Sequence, residues 1–146
     1  MQRRLPLMAA MLAGLLAQAA NAAEIEVKML NKGAAGAMVF EPDFIKAEVG
    51  DTVRFVPTDK GHNAETIKGM VPEGAGMVVG KMNEEVTVEI TTAGVWGIRC
   101  KPHFGMGMVA LIAAGEPANL EAAKEAKVPS KAKAKFEALF EQTEGE

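Results

Sequence analysis

The stretch Val95-Trp96-Gly97-Ile98-Arg99-Cys100-Lys101-Pro102-His103-Phe104-Gly105-Met106-Gly107-Met108-Val109-Ala110-Leu111-Ile112-Ala113 decides how this chain folds. Two apolar runs, residues 95–100 and 108–113, flank a Gly- and Pro-bearing loop, the pattern of two strands and their connection. The loop holds the only cysteine of the 146 residues and one of the two histidines.

Working outward, the same pattern recurs. Ile25, Val27 and Met29 alternate with Glu26 and Lys28, which is period two. Residues 44–49 and 52–56 flank Gly50-Asp51 as two strands with a tight connection, and Val86, Val88 and Ile90 alternate with Thr87 and Glu89. Seven or eight short strands over some 90 residues predict an all-β sandwich or barrel, and nothing in the pattern predicts a parallel sheet. The last thirty residues differ. Residues 119–127 are rich in Ala, Glu and Lys, and Ala132, Phe136, Leu139 and Phe140 follow at i, i+4, i+7 and i+8. Two short amphipathic helices, packed on the sandwich, are expected there, with a frayed end at Glu144-Gly145-Glu146. The Gly-rich stretches at 33–36 and 69–80 lack phosphate-loop spacing and predict loops.

The N-terminus has the form of an export signal. Arg3 and Arg4 precede an apolar stretch, and Ala20-Asn21-Ala22 fits a small-x-small cleavage site. Residues 1–22 are therefore expected to be a removed signal peptide and 23–146 a single domain, with the sandwich at 23–115 and the helical tail at 117–143. The stretch is short for a permanent membrane anchor. After removal, fourteen basic side chains stand against nineteen acidic ones, a net charge of −5. That balance, without any basic run interleaved with aromatics, argues against nucleic acid as a partner. Exported proteins usually pair their cysteines, so a lone thiol needs another occupation.

Cys100, His103 and Met108 supply one. Their C-x2-H-x4-M spacing sets a thiolate, an imidazole and a thioether on one loop. His62, beside Gly61 and Asn63, lies in another inter-strand loop, and such loops gather at one end of a sandwich. Two His and one Cys in a plane with a weak axial Met suit copper. Zinc accepts the first three donors but makes poor use of a thioether, and haem attachment would need a Cys-x-x-Cys-His run. Singly, each residue has an ordinary explanation: a hydrogen-bonded histidine, a buried inert thiol, a gap-filling methionine. Their coincidence on one loop favours a metal. Pro102 has no N–H to offer the Cys100 sulfur, which would leave more electron density on it, whereas Asn63 can donate its side-chain amide and tie the two loops together.

The loop 100–108, the segment Gly61-His62-Asn63-Ala64 and the helical tail resemble the cupredoxin family of blue-copper proteins. The resemblance implies an eight-stranded Greek-key sandwich with two C-terminal helices. It also implies one type 1 copper ion held by His62, Cys100, His103 and Met108. Such a protein would be a soluble periplasmic electron carrier, not an enzyme. Its partners would be redox proteins docking transiently, commonly copper nitrite reductase in denitrifying bacteria or c-type cytochromes, with no membrane partner and a monomeric state. An apolar docking patch is expected around Met38, Pro42, Pro102, Met106 and Gly107. Lys32, Lys60, Lys81, Arg99 and Lys101 would form a basic ring around it. Trp96, Lys101 and Phe104 stand where the family commonly has Tyr, Thr and Tyr. A copper-binding or delivery protein is the alternative, prompted by ten methionines. Three of them lie in the first 22 residues and the others form no Met-x-x-Met tract. A zinc hydrolase using Cys100 and both histidines is a remoter third.

Overall fold

Residues 21–145 are described by the computed structural model; residues 1–20, most of the expected signal, and Glu146 lie outside the described residues. Eight strands come first: β1 (Glu24–Gly33), β2 (Gly36–Glu41), β3 (Phe44–Ala47), β4 (Thr52–Val56), β5 (Glu65–Thr66), β6 (Val86–Glu89), β7 (Gly94–Arg99) and β8 (Val109–Ala114). Helices α1 (Leu120–Lys124) and α2 (Ser130–Glu144) follow. The strands form two four-stranded sheets, β2-β1-β4-β6 and β3-β8-β7-β5. The predicted all-β sandwich with a helical tail is what the chain forms.

Several local expectations change. The loop predicted at 33–36 shrinks to a turn at Ala34-Ala35, because β2 turns back antiparallel onto β1 with Leu30 opposite Val39 and Gly33 opposite Gly36. The strands flanking Gly50-Asp51 are not a paired hairpin. β3 and β4 belong to different sheets, so that short connection crosses the sandwich. Parallel pairing does occur, between β1 and β4 and between β3 and β8. No crossover helix is needed, since the chain between the partners of each pair passes through the opposite sheet. At the C-terminus, Glu144 is the last helical residue and its carboxylate is bound by the Lys124 ammonium, so the fray expected at Glu144 is absent.

Two apolar layers hold these parts together. Between the sheets lie Val27, Met29, Phe40, Val53, Phe55, Val88, Trp96, Ile98 and Ile112, with Phe40 and Phe55 in an edge-on contact at 5.4 Å. On the outer face of the second sheet, Val95, Val109 and Leu111 pack against Leu120, Ala132, Phe136, Leu139 and Phe140 of the helices. Strand-period alternation sends successive residues of β7 and β8 to opposite faces, and both faces are covered. Gly97 has a packing reason. A Cβ there would fall 2.6 Å from Met70 Cε, so only glycine lets Met70 lie flat on β7. Asn119, just before α1, binds both the N–H (2.8 Å) and the C=O (2.9 Å) of Val95 rather than capping its own helix.

Asp51 fixes the start of the sandwich. Its carboxylate accepts the main-chain N–H groups of Ala23 (2.8 Å) and Glu48 (2.8 Å), and the Ala23 bond above all holds its pKa below the usual carboxylate value. A depressed folded-state pKa stabilises the fold above the unfolded value of about 3.9, and the contribution disappears as pH falls through the folded value. Asp51→Asn is therefore expected to lower the melting temperature at pH 7 and to converge on the wild type as pH falls through the depressed folded-state pKa of Asp51, measured by circular dichroism across pH. Phe136→Ala is expected to cost about 3–5 kcal/mol in urea denaturation, because the side chain is buried between α2 and the sheet.

Candidate metal centre

The alternation along β7 and β8 aims the donors. Trp96 and Ile98 face the interior between the sheets, so Cys100, two residues on, faces it too; Met108, Ala110 and Ile112 do the same from β8. The ladder pairs Arg99 with Val109, and one step further the N–H of Cys100 donates to the C=O of Met108 at 3.0 Å. Both residues are fully buried. The loop between them is a 3-10 turn, Lys101–Met106, with Pro102 in its first turn, where the missing N–H costs nothing. It is closed by bonds from His103 N–H to Cys100 C=O (3.2 Å) and from Met108 N–H to His103 C=O (3.2 Å).

His62 comes from the β4–β5 connection and is fully buried. Its Nε2 donates to Asn31 Oδ1 at 2.8 Å, which leaves Nδ1 with a free lone pair facing the loop. Asn83 clamps the segment from both sides, accepting the Gly61 N–H on Oδ1 (2.6 Å) and donating its own N–H to His62 C=O (2.9 Å). Neither Asn31 nor Asn83 carries a sequence signal beyond its residue type.

His62 Nδ1 lies 3.7 Å and His103 Nδ1 3.5 Å from Cys100 Sγ, and the donor atoms of all three residues fall within 4.8 Å of one another. Bonds of about 2.0–2.3 Å meeting near 120° would separate donor atoms by roughly 3.7 Å, so one ion suits all three. Met108, a thioether residue, is buried in the same core cluster as Cys100 and is paired to it through the backbone. The arrangement of His62, Cys100, His103 and Met108 fits a type 1 copper site. When bound, the ion would supply a one-electron couple.

Burial pushes the Cys100 thiol above its ordinary pKa; the main-chain N–H groups of Asn63 and His103 oppose this, and the charge of Glu65 adds to it. Burial also holds the His62 pKa down, with His103 acting in the same sense and Asp59 against it. Without metal, the pocket at neutral pH thus holds a neutral thiol and a neutral His62 imidazole, and loading a metal displaces the thiol proton.

Asn63 does join the two loops, accepting the Lys101 N–H on Oδ1 at 2.7 Å. Its amide nitrogen, however, donates to Gly80 C=O (3.2 Å) and Glu65 Oε2 (3.3 Å), so the sulfur's interaction is with the Asn63 main chain and not its side-chain amide. Pro102 offers the sulfur no N–H, while the His103 N–H, bonded to Cys100 C=O, still acts on the thiol in the direction that lowers its pKa. His103 is half-buried, with Pro102 and Met106 exposed on the same turn. Met38 is half-buried against the core from β2, at φ 51°. Gly107 is buried, and a Cβ there would lie 3.3 Å from Lys131 C=O, so α2 covers it and it is no part of an exposed patch. Lys32, Lys60, Lys81 and Lys101 are exposed. Arg99 is instead bound to Glu65, with its guanidinium 5.1 Å from the Phe104 ring centroid.

The copper-binding plastocyanin/azurin family model matches residues 27–115, and the chain belongs to that family. Its relatives include the pseudoazurin of Paracoccus pantotrophus, 54% identical over 138 residues, spanning 92% of this chain and 95% of that protein. A pseudoazurin structure from Sinorhizobium meliloti superposes with a TM-score of 0.81 at 53% identity, covering 84% of this chain and 97% of that one. The pseudoazurin of Methylobacterium extorquens AM1 gives 0.79 at 46% identity, covering 82% and 98%.

Asn31→Ala removes the group that fixes the His62 ring. We expect metal affinity to fall about 10–100-fold in competition titrations, with little change in the fold.

Proposed function

We propose that this protein is a soluble periplasmic blue-copper electron carrier of the pseudoazurin kind, in which His62, Cys100, His103 and Met108 hold a single copper ion. The observation that carries the reading is the convergence of a buried thiol and two imidazole nitrogens at 3.5–3.7 Å, with a buried Met backbone-paired to the cysteine. Four protein donors, three of them buried, leave no coordination position for a substrate, in keeping with a carrier rather than an enzyme.

The residues divide the work. Strand ends and the Asn31, Asn63 and Asn83 bonds hold the donors in place, so little needs to rearrange when the charge on the site changes. Half-buried His103 is the route for the electron in this reading, beneath exposed Pro102 and Met106, with the exposed Lys32, Lys60, Lys81 and Lys101 as its inferred cationic rim. A small apolar contact with a cationic rim favours fast, weak docking to an acidic redox partner. Copper nitrite reductase and c-type cytochromes are the partners we infer, with the carrier acting as a monomer in denitrifying metabolism.

Residues 1–22 act as the export signal in this reading, and 23–146 as the mature domain. Processing after Ala22 would turn the Ala23 N–H, already 2.8 Å from Asp51 Oδ1, into an ammonium that pairs with the carboxylate.

The mature chain reconstituted with Cu(II) is expected to show an intense thiolate-to-copper charge-transfer band that Cys100→Ser abolishes. Electron-transfer rates to an acidic partner are expected to fall steeply with salt. A colourless protein that takes up only Cu(I) would point to copper delivery instead, and a flat salt profile would remove the cationic rim from the reading.

A further inference from the structure

Glu65 is a buried carboxylate for which the electron-carrier reading has no use. Its side chain is 6% exposed, and it sits on the two-residue strand β5 directly opposite Arg99 of β7. Oε1 accepts both Arg99 Nε (2.7 Å) and Arg99 Nη2 (2.6 Å). Oε2 accepts the Asn63 amide at 3.3 Å. From these two oxygens the connections run to the neighbours of His62, Cys100 and His103. Asn63 is the chain neighbour of His62 and binds the N–H of Lys101, the neighbour of Cys100. Arg99 is the other neighbour of Cys100, and it lies against the ring of Phe104, the neighbour of His103. Each of the three in-plane donors therefore has an adjacent residue in one connected cluster whose centre is Glu65.

We propose that Glu65 is a positioning residue for the metal centre: through Arg99 and Asn63 it fixes the spacing between the His62 segment and the Cys100–His103 turn. The role rests on the copper-site reading for its purpose, but the geometry belongs to the protein itself.

The physical case is one of desolvation. A carboxylate withdrawn from water is costly to leave without its partners, and displacing either loop would leave it unpaired. The cost of that displacement makes the link stiff in a way a neutral pair would not be. The arrangement also explains why Arg99, unlike Lys101 beside it, is not a free surface cation: its fork is turned inward, and its outer face is against an aromatic ring.

The test is amide hydrogen exchange on the metal-free protein, with the Leu111 amide, bonded to Asp43 C=O at 2.8 Å, as internal reference for global opening. In Glu65→Gln the Lys101 amide is expected to exchange about tenfold faster relative to Leu111, since its acceptor Asn63 keeps Gly80 C=O but loses the charged partner that holds its amide. The copper-loaded variant is expected to have a broadened, shifted charge-transfer band and a raised reduction potential, because Arg99 keeps its charge while the anion is gone. Should Glu65→Gln not fold, Glu65→Gln/Arg99→Gln removes both charges together and is expected to give the same faster Lys101 exchange. An unchanged Lys101-to-Leu111 ratio in whichever variant folds would overturn the proposal. A wild-type chain that binds no copper would overturn the carrier reading and leave the exchange result standing.

Discussion

The bond from Cys100 N–H to Met108 C=O is the constraint on which the metal centre depends. It prolongs the β7–β8 ladder by one step and thereby pinches the intervening turn at its base. Both strands are buried on two sides, by the opposite sheet and by the helices, so the pinch cannot open without parting apolar layers. A seven-residue excursion between fixed ends leaves little freedom. Pro102 restricts the turn further, and His103 can only present its ring back over the cysteine from which the turn departs. Loop flexibility, the usual liability of a site built between strands, is removed at the level of backbone pairing.

Against that fixed turn, His62 is brought by a different route. Its segment carries polar residues that bond outward from the ligand in several directions: Asn31 on β1, Asn83 before β6, and Gly80 and Lys101 through Asn63. The contrast is physical. The Cys100–Met108 side is held by ladder geometry and apolar burial, whereas the His62 side is held by side-chain hydrogen bonds in a setting where unpaired groups would be costly.

The legible part of this chain was the part encoded by periodicity and by rare residues. Alternation in 25–29 and 86–90 marks strands because the hydrophobic pattern and the pleat share a period of two, and the continuous apolar runs 95–100 and 108–113 mark strands covered on both faces. The 3.6 pattern at Ala132, Phe136, Leu139 and Phe140 marks α2 for the equivalent reason. One cysteine and two histidines announced the centre by scarcity. What stayed hidden was relational. Gly36–Glu41 is strand because β1 offers it an edge, not because its own residues alternate cleanly. Residues 44–47 and 52–56 look like a hairpin, and only the closure of two sheets places them on opposite sides. Asn31, Glu65 and Asn83 are polar residues of common type, and their importance comes from where the fold sets them. Arg99 and Gly107 looked available to a partner for the same reason: a linear reading cannot see the carboxylate or the helix that covers them.

The helical tail has a consequence for the order in which the molecule can be completed. Val95, Val109 and Leu111 form the outer face of the second sheet, and their cover comes from residues 120–140, which are synthesised after every strand. Until that segment arrives, the sandwich carries an apolar face beside the ligand turn, and the backbone of Lys131 is not yet seated over Gly107. A growing or threading chain thus has a window in which strand pairing is finished and the sheet is still adhesive. Closing the tail ends that window and seats Lys131 over the ligand turn, so that a chain competent to hold its ion is also one whose outer sheet face has been put away.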